Sequence, residues 1–245
     1  MPEKLRFGSQ LESRMGNPDF KTEFDKLFQH FSEEIAEIRK GRLLGEGRAA
    51  KVFDLTDSWG GHPVCVKLYH PHLSELSPIE YKKVQAVTPA DEFSMQDRLF
   101  TEKFPVSEPL YTDTEDGQPY IVMEKIHGYT LTEINENGGL IVSPTWAELE
   151  KLITELNNQR RIVHRDLHPG NIMLQTEQRI SSTGRKLSGK LYIIDFGSSK
   201  SIFSDNPTLE DFSLTIGNSV IKYTTDHFHV RILKPRTGGD NLFLR

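Results

Sequence analysis

The chain has 245 residues, 36% of them hydrophobic, and a formal charge of −5 from 30 Lys and Arg against 35 Asp and Glu. That length can bury one substantial core or two small lobes sharing a cleft, and the near-balanced charge gives no reason to expect nucleic acid or an anionic membrane as partner. No apolar run is long enough to span a bilayer, the opening MPEKLRFGSQ lacks a secretory signal, and the single cysteine, Cys65, excludes an intramolecular disulfide. A cytoplasmic protein is expected, with export into a host cell left open.

Residues 1 to 17 read as irregular. In PDFKTEFDKLFQHFSEEIAEIRK, Phe20, Phe24, Leu27, Phe28, Phe31, Ile35 and Ile38 share one helical stripe. An N-terminal extension, 1–40, therefore carries an amphipathic helix that packs on the following domain or receives a regulatory partner. GRLLGEGRAAKVFDL and HPVCVKLY have β-branched residues bounded by Gly and Pro, which predicts antiparallel strands. Cys65, inside the second, reads as a small buried strand residue. TPADEFSMQDRLF starts a helix: Thr88 can cap, Pro89 suits the first helical position, and Asp91 sits three residues after the cap. PLYTD and QPYIVMEKI are two further strands around a TEDGQ turn.

The second half has a different texture. SPTWAELEKLITELNNQ predicts a helix capped by Ser143, with Trp146, Leu149, Ile153 and Leu156 on one face. NIML and KLYIID are short strands joined by the polar loop QTEQRISSTGRKLSG, whose basic part is either a solvated connector or a dock for an acidic partner. TLEDFSLTIGNSVIKY predicts a helix, and FHVRILKPRTGGDNLFLR an added strand or a docking tail. Strands first and helices after suggest a two-lobed α+β protein with a ligand cleft between lobes. The expected divisions are the extension at 1–40, a first lobe at 41–125 and a second at 126–245.

Chemistry-bearing residues punctuate this frame. Gly45 and Gly47 fall between two predicted strands, where they make either a plain hairpin or a turn whose backbone N–H groups approach a phosphate. Lys67 sits among apolar strand neighbours, so it either reaches water at an edge or meets a partner; Glu92, on the inward margin of its helix, is the candidate. The stretch RIVHRDLHPGNIML interrupts two apolar segments with Asp166 and Asn171, five residues apart. Asp195 ends an apolar strand just before Phe196 and Gly197. One carboxylate and one amide, Asp195 and Asn171, suit Mg²⁺, which keeps waters and shares phosphate oxygens. Asp166 then remains to orient a hydroxyl nucleophile.

Together, Gly45 to Val52 (G-x-G-x-x-A-x-V), VCVKLY, HRDLHPGN and IIDFG resemble the protein-kinase superfamily, in order and in context, over roughly residues 41 to 217. The resemblance implies a bilobal kinase-like α+β fold, with an antiparallel-sheet first lobe bearing one main helix and a reduced, mostly helical second lobe. It implies ATP and Mg²⁺ as cofactors. Gly45, Gly47, Ala50 and Val52 would cover the ATP, and Lys67 would contact its phosphates while paired with Glu92. Met123 would be the gatekeeper, with the Glu124 and Ile126 backbones on the adenine edge. Asp166 would be the catalytic aspartate, Asn171 and Asp195 the metal ligands, and Asp211 a looser match to a bracing aspartate. His168 stands where serine/threonine kinases usually carry a lysine that touches the transferred phosphate.

Departures from the pattern matter too. Ala50 replaces a third glycine. About fifteen residues separate Gly197 from EDFSL, and A-P-E is missing, so the peptide-docking platform lacks room, as in RIO-like atypical kinases and some bacterial effector kinases. In that short segment, Ser198, Ser199, Ser201 and Thr208 read as solvated hydroxyls rather than phosphorylation sites. The favoured expectation is a protein serine/threonine kinase acting on an unknown protein substrate. A small-molecule (aminoglycoside- or choline-type) kinase is the rival encouraged by DLHPGN, and a pseudokinase-like binding module is disfavoured by the intact Lys67, Asp166, Asn171 and Asp195.

Overall fold

The computed structural model describes residues 6–18, 21, 41–47, 49–55, 63–70, 88–115, 118–143, 146–180, 186–201, 212–216, 219–223 and 230–233. The chain divides into two compact units, Met1–Ile126 and His127–Arg245. The helix expected over 18–40 falls almost wholly outside the described residues, as does Asp211. No described helix is long and apolar enough to cross a membrane.

The first unit is built on a six-stranded antiparallel sheet. Its strands are β1 (Arg6–Phe7), β2 (Arg42–Glu46), β3 (Ala50–Asp54), β4 (Val64–Tyr69), β5 (Pro109–Glu115) and β6 (Gln118–Glu124), in spatial order β1-β5-β6-β4-β3-β2. Strand periodicity sends alternate side chains to opposite faces. On one face Val64, Val66 and Leu68 of β4 join Phe53, Leu55, Leu110, Tyr111, Tyr120 and Val122 in a buried cluster. On the other, Tyr69 and Ile121 pack with Ala50 and with Phe93 of the helix α2 (Pro89–Thr101). Every residue of β4 is buried, Cys65 included. Burial pushes that thiol up to about 12, with Asp54 adding to the effect, so it is an inert packing residue.

Helix α2 begins as its sequence predicts. Thr88 Oγ1 accepts from the Asp91 backbone N–H at 3.1 Å and donates to the Asp91 carboxylate at 2.8 Å. It ends in a Schellman turn: Phe104 N–H reaches the Leu99 carbonyl, Lys103 N–H reaches that of Phe100, and Lys103 takes the left-handed conformation at φ 61°. In the segment expected to be irregular, residues 6–15 form regular elements. Residues Arg6–Phe7 extend the sheet at the β5 edge, and helix α1 (Ser9–Met15) buries Leu11 in the first cluster. Elements of two and seven residues are too short for periodicity to reveal.

In the second unit, β7 (Gly128–Thr130), β10 (Ile172–Gln175) and β12 (Lys190–Ile193) form an antiparallel sheet in the order β12-β10-β7. Strand β9 (Ile162–Val163) pairs with β13 (Lys200–Ser201). Helix α3 (Leu131–Glu136) opens with a capping box in which Thr130 and Glu133 satisfy each other's backbone N–H groups. Helix α4 (Trp146–Thr154) runs into a π-helical turn, Glu155–Gln159, and buries Leu149, Ile153 and Leu156 as predicted; Ser143, the expected cap, instead ends β8 (Leu140–Ser143). The polar loop after β10 contains a strand, β11 (Lys186–Ser188), parallel to β8.

Where a mostly helical second lobe was expected, the described residues hold two short α-helices among many short strands. The helix expected across 208–223 is replaced by β14 (Phe212–Ile216) and β15 (Ser219–Tyr223), antiparallel, with β16 (Val230–Leu233) added beside β15. The reason is local: Gly217 and Asn218 separate two runs that hold β-branched residues, a two-residue hairpin signal that outweighs the helical spacing of Phe212, Ile216, Val220 and Tyr223.

Candidate active site

In the first unit the site is organised around Lys67. Because β4 is a central strand, Lys67 cannot reach water along an edge; its side chain is 9% exposed and that of Glu92 is 1% exposed. The two meet at 2.6 Å, Nζ to Oε1. Tyr69, two residues along and therefore on the same face, donates its hydroxyl to Glu92 Oε2 at 2.6 Å, and its ring lies 5.4 Å from the Lys67 ammonium. A buried ion pair is tolerable only when its remaining valences are met, and Tyr69 meets one. Sequence reasoning missed Tyr69, although period-two spacing from Lys67 carried the signal.

Gly45 lies within β2, opposite Val52 and beside a register shift, and Gly47 just beyond it donates its N–H to the Ala50 carbonyl at 2.8 Å. A Cβ built on Gly45 would meet nothing within 4 Å. The space its side chain would take is thus unfilled, but Gly45 lies in strand β2 and not between two strands, as its sequence context led one to expect. Ala50 is buried and Val52 half-buried on β3.

At the end of β6, Met123 packs against Ala50, Tyr69, Phe93 and Ile121. Glu124 is exposed and Ile126 half-buried. The Glu124 backbone is tied on both sides: its N–H donates to the Glu108 carbonyl at 2.8 Å, and its carbonyl accepts from the Ser107 hydroxyl and, at 3.9 Å, from the Cys65 thiol. Gln96 of α2 donates to the Ser107 carbonyl at 2.9 Å and lies 3.8 Å from the Met123 sulfur. Gln96 and Ser107 were not anticipated; Gln96 follows Glu92 by one helical turn, and that spacing was the available clue.

In the second unit a single loop gathers Asp166, His168 and Asn171. Asn171, 7% exposed, donates its Nδ2 to the Asp166 carbonyl at 2.8 Å, and its own carbonyl accepts from Ile194 N–H at 3.1 Å. The amide is thereby oriented with Nδ2 committed and Oδ1 left as the acceptor, while the loop is tied to the residue before Asp195. Asp166 is half-buried and Asp195 exposed. Asp195 takes the left-handed conformation at φ 62°, and its Oδ1 accepts from Gly197 N–H at 3.3 Å. A non-glycine residue held there is strained, as functional residues often are. Arg165 shares the conformation at φ 64°.

His168 is exposed and caps the short 3-10 turn Pro169–Asn171, its Nδ1 accepting from Gly170 N–H at 3.1 Å. With Nδ1 an acceptor, the neutral ring carries its proton on Nε2. His164 is an unanticipated member: fully buried, it contacts the Ile194 carbonyl through Nε2 at 3.0 Å, and its ring lies 5.0 Å from that of Phe196. Ser199, expected in solvent, is fully buried with its hydroxyl donating to the His164 carbonyl at 3.3 Å.

By donor type, the exposed carboxylate of Asp195 and the oriented amide of Asn171 suit Mg²⁺ rather than zinc or another tightly caged metal. The described residues contain no group of three or more His, Cys, Asp or Glu that could hold a metal.

Comparison with known proteins agrees with these motifs. A probable serine/threonine-protein kinase of Streptomyces coelicolor is 25% identical over 187 residues, covering 73% of this chain and 25% of that protein. The probable serine/threonine-protein kinase PknB of Bifidobacterium longum is 26% identical over 189 residues, again 73% and 25%. Serine/threonine-protein kinase C of Synechocystis is 37% identical over 100 residues, 39% of this chain and 17% of that one. The chain thus spans about a quarter of the length of the first two of these relatives. The family model for the protein kinase domain matches residues 38–219, well over half the chain, and with Lys67, Glu92, Asp166, Asn171 and Asp195 all inside that span, the chain belongs to the protein kinase family.

Proposed function

We propose that this chain is an ATP- and Mg²⁺-dependent protein serine/threonine kinase. The observation that carries the reading is the buried Lys67–Glu92 pair at 2.6 Å. Enclosing two charges contributes little or nothing to stability compared with apolar packing, whereas an ammonium held rigidly at the bottom of a glycine-covered sheet is suited to nucleotide phosphates. The names of the bacterial relatives support protein hydroxyls as acceptors.

In this reading Gly45, Gly47, Ala50 and Val52 cover the nucleotide, Met123, Glu124 and Ile126 line its base, and Lys67 aligns its phosphates. Asn171 and Asp195 would hold Mg²⁺, which when bound neutralises charge on the phosphate oxygens. Asp166 aligns the acceptor hydroxyl and takes its proton late, a contribution of about 10²–10⁴-fold. His168 offers its Nε2 proton to the phosphate in transit, in place of the usual lysine. Electrostatic stabilisation from Lys67 and backbone donors supplies the larger share.

The test is exposure of the purified chain to ATP and Mg²⁺ with a generic protein substrate and an aminoglycoside panel, read by mass spectrometry. Phosphate on Ser or Thr, absent from Asp166→Ala, Lys67→Ala and Asp195→Asn, is the expected result, with His168→Ala slowed rather than inactive. Phosphate on the sugar would favour the small-molecule reading that DLHPGN invites. Undiminished transfer by Asp195→Asn would remove the metal assignment.

A further inference from the structure

The N-terminal residues 6–16 bind the first unit along β5 and the sheet's core cluster, and Ser9 ties them to α2 through Asp97. Arg6 and Phe7 pair with Thr112 and Tyr111 of β5, and Gly8 N–H donates to the Leu110 carbonyl at 2.8 Å. A Cβ on Gly8 would stand 2.2 Å from the Pro109 carbonyl oxygen and 3.3 Å from Asp97 Oδ1, so this close approach requires glycine. Ser9 then donates twice to Asp97 of α2, from its backbone N–H to Oδ1 at 2.8 Å and from its hydroxyl to Oδ2 at 2.5 Å. Leu11 is 2% exposed in the sheet's core cluster, with Phe7 and Met15 packed beside it. Arg14 closes the segment against Glu108 at 3.5 Å.

What α2 carries makes these contacts consequential. Glu92 holds Lys67, and Gln96 holds the Ser107 carbonyl, whose hydroxyl in turn holds Glu124. Asp97 lies about 140° around the helix from Glu92, given 3.6 residues per turn. The segment therefore grips the flank of α2 while Glu92 points from its buried face. A shift of the helix would lengthen the Lys67–Glu92 contact, now 2.6 Å, and weaken the hold on the buried ammonium. We propose that residues 6–16 form a strap that sets the position of α2, and through it of Glu92 on Lys67, with Gly8, Ser9 and Asp97 as positioning residues. This role depends on Lys67 and Glu92 serving the nucleotide as proposed above.

The experiment uses the full chain. Ser9→Asp sets a carboxylate against Asp97, and Asp97→Asn in the same chain removes the repulsion. Hydrogen exchange of the amides in Pro89–Thr101 is measured together with kcat and KM for ATP. Expected in Ser9→Asp is exchange across α2 faster by roughly tenfold, the scale of losing a hydrogen bond to a charged group, with kcat falling more than KM rises. The double variant recovers both, which a general loss of stability would not. Should Ser9→Asp fail to fold, Ser9→Ala removes only the side-chain bond and is read the same way, with a smaller change. Unchanged α2 exchange overturns the strap, whatever becomes of the kinase reading. A wild-type chain that transfers no phosphate, yet whose α2 exchange responds to Ser9→Asp, keeps the strap and overturns the catalytic reading. Faster exchange with kcat and KM unchanged overturns the link from strap to catalysis.

Discussion

Burial holds the His164 imidazole below its ordinary 6.5, against the opposing influence of the Ile194 carbonyl and the Asp195 and Asp166 carboxylates, with His168 adding to the lowering. An unfolded chain exposes a histidine that protonates near the ordinary value, whereas the folded chain keeps it neutral. Stability is therefore full above about pH 6.5 and declines below it by about 1.4 kcal/mol per pH unit, until the folded group itself titrates. Urea melts of metal-free protein between pH 7 and 5 should show a slope about one proton shallower in His164→Gln, which keeps a donor toward the Ile194 carbonyl. Equal slopes would mean that His164 takes up its proton inside the fold. The sequence hid this residue for a physical reason: a histidine in an H-R-D loop reads as polar loop chemistry, and only the packing of Phe196 and Ile194 around it makes it a buried neutral ring.

Among the elements, those that were legible carried two signals at once. β3, β4 and β6 combined β-branched residues with Gly or Pro punctuation, and α2 combined an apolar face with a Thr88-Pro89-Asp91 start. Those misread carried one signal or a conflicting pair, as with β1 and α1, which were too short, and β14 and β15, whose apolar spacing imitated a helix until Gly217 and Asn218 are weighed as a turn. The C-terminal end of α2 allows a sharper test. Its Schellman turn places exposed Lys103 at φ 61°, where an L side chain costs about 1–2 kcal/mol that glycine avoids. Glycine also loses more entropy on folding, by about 0.5–1 kcal/mol. Lys103→Gly should accordingly raise stability by a net of about 0.5–1 kcal/mol in denaturant titration. A loss of stability would show that the lysine side chain makes a contact worth more than the strain.

At the scale of the whole molecule, the candidate residues could be picked out because each sits in one short segment: Asp166 and Asn171 share a loop, and Asp195 follows a strand. Of the partners that hold these groups, Tyr69 and Gln96 had a local spacing as their clue, whereas Ser107 becomes a neighbour of Glu124 only through tertiary packing. The assignment draws on both compact units, Lys67 and Glu92 from Met1–Ile126 and Asp166, Asn171 and Asp195 from His127–Arg245. A ligand that binds only the folded chain stabilises it by RT ln(1 + [L]/Kd), about 2.7 kcal/mol at a hundred times Kd. For a chain of this size each kcal/mol moves the midpoint by about 2–4 °C, so saturating ATP with Mg²⁺ should raise it by roughly 5–10 °C. Lys67→Ala in the first unit and Asp195→Asn in the second should each shrink that rise, and chelating the metal should shrink it further in Lys67→Ala but add nothing in Asp195→Asn. If Lys67→Ala abolished the shift while Asp195→Asn and chelation left it whole, the nucleotide would be held by the first unit alone. Asp195 would then have no part in binding, and the strain in its backbone would need another cause.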